Sequence, residues 1–199
     1  MCNDTGMSDM PLEPDSPEDD DSCSYEGWHT DGKSHLEMMI DRAIWPGADV
    51  DLAGDGLRAA TDMACRTFGW PKLAVGGLLC GNARIAALNA RFRGKQSPTN
   101  VLSFPSGETE PDASGMLVAG DIAIAFETVR DEAIRDAKTL QDHLVHLWVH
   151  GLLHLMGHDH ADADEAEAME AGEIAVLARL GIADPYAGLE SEDMPGGGQ

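Results

Sequence analysis

The stretch from His150 to His160 carries three imidazoles at positions i, i+4 and i+10, with Gly157 between the second and third. On a helix, His150 and His154 project from one face, a turn apart. Gly157 can adopt left-handed backbone, end the helix and reverse the chain. His160 then returns to the same point from another side. Three imidazoles converging on one point make an open metal site, whose fourth tetrahedral position is left to water, as in catalytic rather than structural zinc. Nickel and copper also accept three histidines. Zinc is the usual occupant of such hydrolase sites, so the expected cofactor is one Zn²⁺ per chain.

The spacing is that of the metzincin proteases, but the position of their catalytic glutamate is Gly151. A glycine can neither accept a proton from water nor orient it, so peptidase chemistry is not supported. His143 and His146 continue the same stripe. They are read as helix-face residues or as partners that orient the ligand imidazoles. Asp159 is either such a partner or an ordinary turn residue. His158 is read as an exposed turn histidine. Ser103 lacks the Gly-x-Ser-x-Gly context of a nucleophile and is read as structural.

A second constellation lies upstream, from Leu88 through Arg91-Phe92-Arg93-Gly94-Lys95 to Pro98-Thr99-Asn100-Val101-Leu102-Ser103-Phe104-Pro105. With the histidine run, with Gly120-Asp121-Ile122 and with the acidic helix at the end, it closely resembles the YbeY family of bacterial rRNA maturation factors, over about residues 35 to 187. The resemblance implies a zinc-dependent endoribonuclease specific for single-stranded RNA. It further implies zinc on His150, His154 and His160, and an essential arginine at Arg93. It implies work on rRNA of the small ribosomal subunit, in maturing the 16S 3′ end and in ribosome quality control.

The residues support an RNA substrate independently. Met63 to Gly107 contains no acid, yet holds six of the chain's thirteen bases, an island on a protein of net charge −23. Phosphate recognition depends on local charge. Arg91, Arg93 and Lys95 alternate around Phe92, which can stack on an unpaired base. These three are the expected substrate-binding residues, and Arg93, His150, His154 and His160 the expected catalytic ones. Zinc makes bound water acidic enough to ionise near neutral pH. Either that water or the ribose 2′-OH is then the nucleophile, with Arg93 on the phosphate. Two other classes remain open: a non-catalytic zinc-containing assembly factor that binds rRNA or a ribosomal protein, and a zinc hydrolase of another phosphoester.

Charge is concentrated at the ends. Residues 1–34 and 161–199 each hold ten acids and one base. Residues 1–34 read as an acidic disordered tail, 35–187 as one domain, and 188–199 as a flexible tail. No segment has the length and apolarity of a membrane span or of a signal peptide. Cys2, Cys23, Cys65 and Cys80 show no paired spacing and suggest reduced thiols. A cytoplasmic location is expected.

The elements that must position these residues follow from periodicity. Strands are expected at Leu36 to Trp45, Lys72 to Cys80, Thr99 to Phe104 and Met116 to Ala125, the last burying Val118, Ile122 and Ile124 on one face. Helices are expected at Leu52 to Phe68, from Asn82 as cap to Phe92, Phe126 to Lys138, Leu140 to Met156 and Asp162 to Leu180. On the last, Ala166, Met169, Ile174, Val176 and Leu177 form the inner face. The expected fold is a single α+β domain with a mixed four-stranded sheet, about five helices and a zincin-like metal site on a central histidine helix.

Overall fold

Short segments with apolar residues at every second position pair into one mixed sheet of order β1-β2-β3-β5-β4. The computed structural model describes residues 23–187. In chain order the elements are β1 (Cys23–His29), β2 (His35–Asp41), α1 (Gly47–Phe68), β3 (Lys72–Cys80) and α2 (Asn82–Arg93). There follow β4 (Val101–Pro105), β5 (Met116–Ala125), α3 (Phe126–Arg135), α4 (Leu140–Leu155) and α5 (Ala163–Arg179). β1–β2 and β4–β5 are antiparallel, whereas β2–β3 and β3–β5 are parallel.

The two sheet faces are covered differently. Ile122 and Ile124 of β5 join Leu73, Val75 and Leu79 in the main core, with residues of α1, α4 and α5. Ala123 and Ala125 point the other way and pack with Leu102 and the α2 residue Ile85. Successive strand residues face opposite sides, so α4 and α2 lie on opposite faces. At the centre of the main core, Trp148 of α4 is fully buried. Its indole N–H donates to the Thr61 hydroxyl on α1 at 3.0 Å, which keeps its one polar atom satisfied.

Several expectations are corrected. The sheet has five strands rather than four. Residues 23–34, expected in the disordered tail, form β1 and the turn into β2; residues 1–22 and 188–199 lie outside the described residues. β1 escapes a periodicity search because only Trp28 on it is buried. Val118 is exposed, not buried with Ile122. Ala74 pairs with Val118 but Val75 pairs with Gly120, so Ala119 is an extra residue and the alternation flips there. Gly120 has φ +130, and a Cβ on it would overlap the Phe104 carbonyl, so only glycine fits the bulge. Asn82 is the first residue of α2 rather than its cap, which is Gly81. The Asn82 side chain instead accepts from the Thr128 hydroxyl at 2.7 Å.

Candidate metal centre

The histidine helix begins at Thr139, whose hydroxyl accepts from Asp142 N–H at 3.0 Å. It ends in a paired-bond turn: Gly157 N–H reaches the His154 carbonyl and His158 N–H the Leu153 carbonyl. With Gly157 at φ +88, this is a Schellman motif. The turn brings His160 back over α4. The ligand-capable nitrogens of His150, His154 and His160 all lie within 4.8 Å of one another. Asp159 accepts the His160 backbone N–H at 2.8 Å, which makes it a turn residue.

The tautomers follow from the partners. His150 Nδ1 lies 2.9 Å from a Glu173 carboxylate oxygen. His154 Nδ1 lies 3.0 Å from the His158 carbonyl. A carboxylate and a carbonyl only accept, so both Nδ1 atoms donate, and in the neutral imidazoles, the form that binds a metal, both Nε2 atoms carry lone pairs. Those Nε2 atoms face each other at 3.1 Å. Burial and the neighbouring histidines hold His154 below the ordinary imidazole pKa, which favours its neutral form. Two lone pairs at this distance repel unless a cation stands between them. Two nitrogens bound at 2.0–2.1 Å to a tetrahedral ion stand about 3.3 Å apart. The donor set therefore fits a single metal ion, with His160 as third imidazole.

Glu173, on α5, was not singled out from the sequence. Its side chain is only 1% exposed. It accepts from His146 Nε2 at 2.7 Å, His150 Nδ1 at 2.9 Å and Tyr186 OH at 2.6 Å. Burial alone would raise its pKa, but the three hydrogen bonds outweigh this and hold it at about 2. Burial and the Glu173 carboxylate push the Tyr186 phenol up. The available signal was an acid inside the buried stripe of α5, between Met169 and Val176. His143 is placed elsewhere: its Nε2 pairs with Glu132 at 2.8 Å, and the same carboxylate oxygen accepts from Asn100 Nδ2 at 3.0 Å.

Gly151 is pressed against the sheet. A Cβ there would stand 2.9 Å from Ile122 Cδ1 and 3.2 Å from Ser103 Oγ. The position leaves no room for a carboxylate, which is consistent with the loss of the metzincin glutamate.

The basic motif sits apart from the histidines. Arg91, Phe92 and Arg93 close α2, Gly94 at φ +68 ends it, and Lys95 follows. All three basic side chains are exposed. The helix itself packs through Ile85 on the sheet face opposite α4, and its Phe92 meets Phe104 of the edge strand β4. The structure thus gathers the three histidines, while Arg91, Arg93 and Lys95 follow one another at the exposed end of α2, with Arg91 over the Phe92 ring at 5.3 Å.

The family model described as Endoribonuclease YbeY matches residues 55–181. The chain is 44% identical over 182 residues to the Endoribonuclease YbeY of Rhodopseudomonas palustris, covering 89% of this chain and 94% of that one. It is 48% identical over 152 residues to that of Chelativorans sp., covering 76% and 93%. A solution structure from Thermotoga maritima aligns at 22% identity and a TM-score of 0.47, covering 82% of this chain and 99% of that one.

Proposed function

Because the chain belongs to the endoribonuclease YbeY family, we propose that it cuts single-stranded RNA at a zinc ion held by His150, His154 and His160. The observation that carries this reading is the facing pair of Nε2 lone pairs, 3.1 Å apart, with both Nδ1 atoms committed to acceptors. Zinc bound there supplies Lewis acidity to water and to a phosphate oxygen. Glu173 and the His158 carbonyl hold the imidazoles in the ligating tautomer. Arg93 neutralises the charge that develops on the phosphate, and Arg91 and Lys95 hold the flanking backbone. The substrate is rRNA of the small ribosomal subunit, and the reaction serves maturation of its 3′ end and ribosome quality control in the cytoplasm.

The placement of Arg93 favours a second reading. It ends α2, whose Ile85 packs on the sheet face opposite α4, and a residue that only binds rRNA need not stand at the histidines. The chain would then be an assembly factor in which zinc only supports the fold.

One experiment separates the two. Cleavage of a labelled single strand is compared with that of its duplex, using metal-loaded, chelated, His154→Ala and Arg93→Ala protein. Cutting of the single strand alone, lost on chelation and in both variants, supports the nuclease. A folded, zinc-loaded protein that binds the strand without cutting it establishes the second reading instead.

A further inference from the structure

The sheet face opposite the histidines carries a groove of about 540 Å³, walled by Tyr25, Phe92 and Phe104 and floored by Gly76, Gly77 and Leu78. This lies within the ~300–1,000 Å³ typical of small-molecule sites. Arg84 of α2 also lines it, its guanidinium turned to Cys23 Sγ and Met39 Sδ, and two carboxylates are placed in it by strand register. Gly76 pairs with Glu37 on β2 and with Asp121 on β5, so two carboxylates flank a residue that has no side chain. A Cβ at position 76 would overlap the Asp121 carboxylate; glycine is what gives that carboxylate its place. Both acids line the groove, and among the described residues neither carboxylate has a hydrogen-bond or ion-pair partner.

The walls are aromatic and wet. Phe92 is 57% exposed and Tyr25 60%. Phe92 is braced by Phe104, ring centroids 5.0 Å apart, and by Arg91 at 5.3 Å. Arg91 stands over this ring with Arg93 and Lys95 next in the chain, so a phosphate backbone held by the three would deliver its nucleobases to the groove.

We propose that the groove binds one unpaired guanine of the RNA strand, its ring against Phe92 and its Watson–Crick edge on Glu37 or Asp121. A carboxylate is a pure acceptor with two oxygens side by side. Guanine presents two adjacent donors, N1–H and the N2 amine. Adenine and cytosine place a ring-nitrogen acceptor beside their amine, and uracil sets its N–H between two carbonyls, so each meets the carboxylate with a repulsive lone pair. Stacking on an aromatic ring is tolerant of sequence, hence discrimination falls to the two acids. The same acids repel a bare phosphate. The base and the backbone are thus recognised by different groups, as in other nucleic-acid sites.

This assignment rests on the RNA reading above, and its test keeps the two apart. Full-length protein is titrated, by fluorescence anisotropy, into labelled adenine oligoribonucleotides that carry one central guanine, inosine or adenine. Inosine lacks only the N2 amine. The guanine strand is expected to bind about tenfold tighter than the inosine strand. In a Glu37→Gln/Asp121→Asn double variant that ratio falls to about one, with metal content and melting temperature unchanged as evidence of an intact fold. A ratio is the proper readout, because removing two negative charges strengthens the binding of every strand. Equal affinity for guanine and inosine strands, or a ratio that survives in the double variant, overturns the proposal. Cleavage is followed on the same strands. Cutting with no guanine preference in binding removes the guanine site and leaves the nuclease. Guanine preference without cutting leaves the guanine site and removes the nuclease.

Discussion

Replacing Glu173 by glutamine tests whether this buried carboxylate sets up the metal centre. The change keeps the side-chain shape and removes the charge. Despite its burial, the three hydrogen bonds hold the carboxyl at about 2, against 4.5 for an ordinary glutamate. With 1.36 kcal/mol per unit, the ionised form contributes on the order of 3 kcal/mol to folding at neutral pH. Solvent screening takes little from this, since the side chain is 1% exposed. For a domain of this size the loss lowers the melting temperature by about 5–10 °C. Metal affinity falls by about 10–100-fold, because an amide NH₂ facing one of the donors of His146, His150 or Tyr186 cannot accept from it. The sign with pH is also set. A depressed carboxyl stabilises fully above its unfolded pKa and loses that contribution as pH falls through its folded value. In chelated protein the stability gap between wild type and Glu173→Gln therefore closes between pH 4.5 and about 2. Melting curves across that range, and competition against a chromophoric chelator at neutral pH, measure both effects. A variant that melts and binds metal like the wild type at pH 7 refutes the reasoning.

Other expectations follow from single positions. Arg93→Ala should lower cleavage by about 10²-fold while zinc content, measured by elemental analysis, stays at the wild-type level; loss of zinc would show that the residue acts through the fold. Gly151→Ala should cost about 1–3 kcal/mol in urea unfolding, because the added methyl meets Ile122 Cδ1 at 2.9 Å; an unchanged midpoint would mean that α4 can lift from the sheet freely. Burial holds both His143 and His154 below the 6.5 of an ordinary imidazole. Their contribution to the stability of chelated protein is complete above that pH and is lost as pH falls through their folded values. The urea midpoint should accordingly rise from pH 5 to pH 7, and a flat profile would contradict it.

What the sequence revealed and what it hid have the same physical origin. β3 and β5 were legible to the residue because alternation of apolar side chains is local. So was the histidine cluster, since one helix turn and one glycine turn determine where its three imidazoles go. β1 was hidden because its partner β2 supplies the burial; its own segment is acidic, with Trp28 the one large buried side chain. The exposure of Val118 was hidden because one extra residue, Ala119, reverses the face of everything before it. Glu173 was hidden for a related reason: its partners His146 and His150 are 27 and 23 residues away, and only the packing of α5 against α4 introduces them. The basic motif was legible as a motif but not as a position. Arg93 and the histidines were read as one catalytic group because both motifs belong to one family pattern. Sheet order, which no local periodicity contains, puts α2 and α4 on opposite faces. How far Arg93 stands from the histidines is therefore a matter of how β4 pairs at the edge of the sheet rather than of either motif.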